Sequence, residues 1–160
     1  MAGYGDDAGF TAYAAAAGHT VPAGTIAAAR QRGSVYIDGT YDMRFQGVPT
    51  GGLAQERAWP RTGATVYGST LASDLIPQRV IDASYEAAYL ELVKPGLLSI
   101  SFDASKKVKR QKVEGIEREF FEPGDSGNIF APDAPVSTII EGLPAPLIGP
   151  AYGLPDISVV

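Results

Sequence analysis

The chain has 160 residues, no cysteine, one histidine and a formal net charge of −5. Its 45% hydrophobic and 19% charged residues suit one domain with a real core, while disulfides, cysteine-ligated zinc and thiol chemistry are excluded and His19 alone leaves a multi-histidine metal site without ligands. No apolar run reaches the roughly 18 residues of a membrane span, and MAGYGDDAGF does not read as a signal peptide; the expectation is a soluble protein, neither secreted nor membrane-bound, without the positive charge for tight, sequence-general nucleic-acid binding.

The first predicted element is a short helix over 7–17. Asp6 or Asp7 can cap it, Phe10, Tyr13 and Ala17 recur at helical spacing, and Gly18 can follow its end. A second helix is predicted over 24–38, with Ile26, Ala29, Gly33, Tyr36 and Ile37 inward and Arg30, Gln31 and Asp38 outward. Gly33 costs a helix interior roughly 1 kcal/mol against alanine, which a close helix crossing would explain. Residues 39–76 read as a long loop rich in glycine, for which Phe45, Trp59 and Tyr67 are the expected anchors. We expect Trp59 to pack with Ile81 and Tyr85, tying that loop to the next helix.

Pro77 suits the first turn of a third helix, since its missing N–H has no partner there. Ile81, Tyr85, Ala88 and Leu92 form one apolar stripe and Val80, Ala83, Ala87 and Leu90 an adjacent one, so this helix should be central. Lys94-Pro95-Gly96 ends it. Residues 106–121 have strand-like spacing around Glu114-Gly115, predicting a hairpin. Its first arm holds Lys106, Lys107, Lys109, Arg110 and Lys112; Glu114, Glu117, Glu119 and Glu122 lie at or after the turn. These charges either pair across the hairpin or bring the basic arm Lys107, Lys109, Arg110 and Lys112 against Glu117 and Glu119 of an adjacent subunit.

Residues 123–160 contain four acids, no base and seven of the 12 prolines. The composition therefore divides the chain into a helical body over 1–122 and an extended docking arm over 123–160, with a short helix near 135–142. The arm is too apolar to remain in water and too rich in proline for a bundle helix. Leu143, Leu147, Ile148 and Tyr152 are its expected anchors on a partner.

Several patterns resemble catalytic motifs without the context these need. Gly124-Asp125-Ser126-Gly127 matches a serine-protease nucleophile segment, but EPGDSGN reads better as a turn in a chain whose first 95 residues look helical. No phosphate-binding loop or His-Glu-x-x-His is present. The carboxylate pairs Asp38/Asp42 and Glu86/Glu91 read as solvated helix faces, and His19 as a ligand of free carbonyls at a helix end. The sequence therefore predicts no enzyme, no cofactor and no metal.

The succession Ala28-Ala29-Arg30, Tyr36-Ile37-Asp38-Gly39-Thr40-Tyr41, Phe45-Gln46-Gly47, Trp59-Pro60-Arg61, Ile76-Pro77 and Val108-Lys109-Arg110 through Gly115-Ile116-Glu117 resembles a phage and prophage family labelled DnaT-like single-stranded DNA-binding. Structurally that family resembles the head–tail adaptors, or connectors, of long-tailed phages. The resemblance spans roughly 8–122, and Trp59, Pro60, Arg61 and Pro77 are its most specific residues. It implies a mainly α fold: a small helical bundle with a protruding hairpin or long loop. It also implies a virion neck protein assembled in the host cytoplasm, with about 12 copies forming a ring. The implied partners are the portal protein, the next neck or tail-completion protein, and DNA that passes through without specific binding; no membrane is involved. Leu143, Leu147, Ile148 and Tyr152 would then hold the portal. The alternative is a single-stranded DNA-binding replication or packaging accessory, for which the basic run 106–112 is the candidate surface.

Overall fold

The computed structural model describes residues 2–99 and 137–149, together with the backbone of 110–113 and 116–119. Among these, α1 (Asp7–Ala16), α2 (Ile26–Tyr41), α3 (Gln78–Val93) and α4 (Thr138–Gly142) make the protein mainly α. The antiparallel strand pairs are short: β1 (Val48–Pro49) with β2 (Arg61–Thr62), β3 (Thr65–Val66) with β4 (Ser69–Thr70), and β5 (Arg110–Val113) with β6 (Ile116–Glu119).

The local signals act where the chemistry requires. Asp6 caps α1, its Oδ1 accepting from Gly9 N at 2.7 Å, and Gly18 takes the left-handed conformation just past the helix. Pro77 immediately precedes α3, and Lys94 follows its last residue. The second helix runs three residues beyond its predicted end because Tyr41 continues the inward stripe of Ile37 and is itself buried.

The central pair is α2 against α3. They cross at Gly33, where a Cβ would lie 2.5 Å from Ser84 O and 2.7 Å from Ala88 N. Those are backbone atoms, so the helices would have to separate. Gly33→Ala should therefore destabilise by about 1–2 kcal/mol, overpacking outweighing the gain in helix propensity. Gly39 lies in the same helix with open space around it. Gly39→Ala should stabilise by up to about 1 kcal/mol. Urea titration of the two variants should give shifts of opposite sign.

Helix α3 has two apolar flanks. Val80, Ala83 and Ala87 join Trp59, Phe45, Ile37, Tyr41, Ile140 and Leu147 in one cluster. Tyr85 and Ala88 join Phe10 and Ala29 in the other. Trp59 and Tyr85 thus occupy different clusters, with Ile81 bordering both. This corrects the expected Trp59–Ile81–Tyr85 contact: residues 83 and 85 face opposite sides of a helix of 3.6 residues per turn. Trp59 instead meets Phe45 edge-on, with ring centroids 5.5 Å apart.

Residues 137–149 belong to the same unit as 2–98. Ser137 caps α4, Ile140 and Leu147 are buried, and Leu143 and Ile148 pack against the same cluster. The following segment is stitched to the loop after α2: Gln46 N donates to Leu147 O at 3.1 Å, and Gly149 N to Arg44 O at 2.9 Å. The composition boundary at Pro123 therefore differs from the structural division here. An extended, proline-bearing segment can satisfy its backbone on a neighbouring loop, and this one uses its own. The β5–β6 hairpin belongs to a separate unit. Its strands pair antiparallel, with Arg110 opposite Glu119, Lys112 opposite Glu117 and Val113 opposite Ile116, while the expected turn residues Glu114 and Gly115 lie outside the described residues.

Candidate functional site

The Trp59-Pro60-Arg61 segment is the fastening of the long loop. Trp59 is 1% exposed, and the peptide bond to Pro60 is cis. Arg61 is buried and gathers the surrounding backbone. Its Nε donates to Gln46 O at 3.0 Å, its NH1 to Ala58 O at 3.2 Å, and its NH2 to Gly47 O at 2.8 Å and Phe45 O at 3.4 Å. Its NH1 also meets Asp42 Oδ1 at 2.7 Å. A guanidinium presents five donors in a rigid fork, which is what one loop folded around one cation needs.

A second polar knot holds the N-terminal segment. Tyr4 OH donates to Asp38 Oδ1 at 2.5 Å and accepts from Trp59 N at 3.1 Å, while Ser34 Oγ accepts from Tyr4 N at 2.8 Å. Arg57 completes it, meeting Asp38 Oδ2 at 3.3 Å and lying over the Tyr4 ring. Burial, with Asp38 adding to it, pushes the Tyr4 hydroxyl far above the usual phenol range, so it stays a neutral donor. Burial also raises the Asp38 carboxyl, against the pull of Tyr4 and Arg57. The Tyr41 hydroxyl is pushed up to about 12, chiefly by burial and secondarily by Glu141.

The reading of Glu86 and Glu91 as solvated is overturned, since each is 3% exposed. Glu86 Oε2 receives Tyr13 OH at 3.0 Å and lies 3.0 Å from His19 Nε2, whose ring stacks on Tyr89. Burial first, and then the Glu86 charge, raise the Tyr13 hydroxyl. His19 thus clamps the α1–α2 connection to α3 instead of binding helix-end carbonyls. Glu91 meets Arg32 Nε at 2.8 Å and accepts from Gly96 N at 3.0 Å, closing the end of α3. Asp38 and Asp42 are likewise paired, with Arg57 and Arg61.

The other candidate residues divide three ways. Lys107, Lys109, Tyr152 and the Gly124–Gly127 turn lie outside the described residues. Arg110, Lys112, Glu117 and Glu119 sit in facing registers of one hairpin. Leu143, Leu147 and Ile148, expected to anchor on a partner, pack against the chain's own core. Phe45 and Trp59 anchor the loop as expected, whereas Tyr67 is 80% exposed at the tip of the β3–β4 turn. Met43, Val48 and Leu53 are also exposed. With Val35, Leu53 borders an open groove of about 570 Å³ between α2 and the loop.

Tyr4, Ser34 and Arg57 were not singled out in the sequence. Ser34 adjoins Gly33 on the inward stripe, which was a usable signal; Tyr4 sits among glycines with none.

A family profile described as "Putative DnaT-like ssDNA binding protein" matches residues 3–154. No curated protein and no solved structure matches.

Proposed function

The chain belongs to the DnaT-like ssDNA-binding family, and we propose that it acts as a structural head–tail adaptor of a long-tailed phage, its copies forming a ring between the portal and the next neck component. The observation that carries this reading is the use of its cations. Of the seven basic residues in 2–99 and 137–149, Arg30, Arg32, Arg57 and Arg61 are engaged by carboxylates of the same chain. Arg44 lies over the Tyr41 ring. Ten acids occupy the same residues. Such a body is poorly suited to gripping phosphates, whose affinity comes from cations free to displace counterions. The exposed Met43, Val48, Leu53 and Tyr67 suit contact with protein.

The second reading, binding of single-stranded DNA, is favoured by the family description and by the basic strand Arg110–Val113. Mass photometry of the chain with and without portal, beside an anisotropy titration with labelled oligothymidine, separates the two. The adaptor reading expects portal-dependent rings and no saturable binding at 150 mM salt. Saturable, salt-sensitive binding without rings would replace it.

The hairpin supplies a further test. Its backbone register sets oppositely charged residue types across from one another within one copy, and cross-strand charge pairs of this kind contribute only a few tenths of a kcal/mol. Reversal of Lys107, Lys109, Arg110 and Lys112 to glutamate should leave the melting temperature of the body within about 2 °C. It should block ring formation, and adding Glu117→Lys and Glu119→Lys should partly restore it. Normal assembly by both single-arm reversals would confine these charges to the hairpin itself.

A further inference from the structure

Tyr67 and Gly68 are the two central residues of the β3–β4 turn, with φ of +50° and +80°. Turns with both residues left-handed are normally built from asparagine and glycine. Tyr67 is the one non-glycine with positive φ among the described residues. A side chain with a Cβ resists that conformation, and the ring recovers nothing by burial, being 80% exposed. The root of the turn is firm: Ala64 is buried and its carbonyl accepts from Leu71 N at 2.9 Å. Strain held at an exposed aromatic on a fixed base signals a contact outside the chain.

A complementary surface lies on the opposite flank of α3. The turn is rooted in the cluster that contains Val80, Ala83 and Ala87. On the other side, Gly9 and Ala12 of α1 face Ile81, Asp82 and Tyr85 of α3 across an open groove of about 510 Å³. Gly9 lets α1 lie close against Tyr85 at one wall of the groove, since a Cβ there would collide with the Tyr85 hydroxyl. Its apolar walls suit a phenol ring. Asp82, whose Oδ1 accepts from Gln78 Nε2 at 2.8 Å, lines the groove with a carboxylate able to accept a phenolic O–H. Asp6 also borders the groove, and the two acids disfavour a phosphate-bearing occupant while accepting a neutral donor.

We propose that Tyr67 of one copy enters the α1–α3 groove of a second copy. This rests on the ring reading above and names the surfaces that make the ring. Two different patches on opposite flanks give a head-to-tail contact, the kind that propagates around a closed ring and not the self-complementary kind that stops at a dimer. One turn tip covers far less than the ~1,200 Å² of a stable interface, so the contact is weak until many copies are gathered.

The absence of cysteine provides a clean background for testing it. The double variant Ser69→Cys/Ala12→Cys, which keeps Tyr67 and places one thiol on the exposed strand beside it, oxidised in the presence of portal, should give a ladder of covalent trimers and larger species. Ser69→Cys alone, and Ser69→Cys/Thr40→Cys with its second thiol on exposed α2 surface, should not. Tyr67→Gly separates contact from folding: it suits the turn, so its melting temperature should equal or exceed wild type, while ring yield falls tenfold or more. Wild-type ring yield from Tyr67→Gly, or equal ladders from both double variants, overturns the proposal and leaves the ring reading standing. If wild-type chain forms no ring with portal, both fall together.

Discussion

Trp59→Ala should destabilise the body by about 3–5 kcal/mol, the range for removing a buried large aromatic and leaving a cavity. The indole is 1% exposed among Phe45, Tyr4, Ile37, Val80 and Leu147. It connects the long loop, α2, α3 and the segment after α4, so those elements cannot close the void by moving independently. Trp59→Phe should cost much less, about 1–2 kcal/mol. It keeps an aromatic ring near Phe45 and loses no hydrogen bond, because the buried Trp59 Nε1 has no partner among the described residues. Circular dichroism during urea unfolding reads both variants. The wild type adds a check, since its single tryptophan should emit at short wavelength when folded and shift red as the loop opens. A Trp59→Ala protein that unfolds at the wild-type midpoint would refute this role.

Arg61→Ala should cost about 3 kcal/mol for a different reason. It leaves a void, and it removes the donors serving the carbonyls of Phe45, Gln46, Gly47 and Ala58. Each buried carbonyl deprived of its donor carries a desolvation cost until water replaces it. The Asp42 pair is the smaller part, since that carboxylate is 47% exposed and can be hydrated. Arg61→Lys is the discriminating variant. It keeps the charge beside Asp42 but not the fork, so it should recover less than half of the loss. Full recovery by lysine would show that charge, and not the fan of donors, holds the loop. Hydrogen exchange should localise the change, with the amides of Thr50 and Gly149 losing protection first, since both bond to strands and loop that Arg61 secures.

Much of this architecture was legible in the sequence. The two stripes of α3, the cap at Asp6, the stop at Lys94-Pro95-Gly96 and the pairing of 110–113 with 116–119 are local or periodic signals, and each has a local cause. Gly33 was legible too: a glycine on the inward stripe of a helix costs stability unless another backbone lies against it, and Ser84 and Ala88 do. The fastening role of Trp59 followed from its size and its solitary place in a glycine-rich loop. Its partners did not, because which flank of α3 the loop covers depends on where α1 already sits.

What only the tertiary structure decided concerns polar groups and surfaces. Glu86 and Glu91 look like any helix-face acids, and their burial depends on His19, Tyr13 and Arg32 arriving from other elements. Leu143, Leu147 and Ile148 formed an apolar, proline-broken stretch whose need for a surface was evident from composition. That the surface is the chain's own loop, at Arg44 and Gln46, is a matter of backbone hydrogen bonds that no periodicity encodes. Tyr67 reversed in the opposite sense, since an aromatic in a long loop suggests an anchor, yet it stands on a left-handed turn that points it away from the core. Sequence by itself determined which segments are helical and which faces are apolar, because those follow from spacing along one chain. The tertiary structure decided which charges are neutralised inside and which apolar side chains remain outside, because both depend on residues distant in sequence competing for the same buried volume.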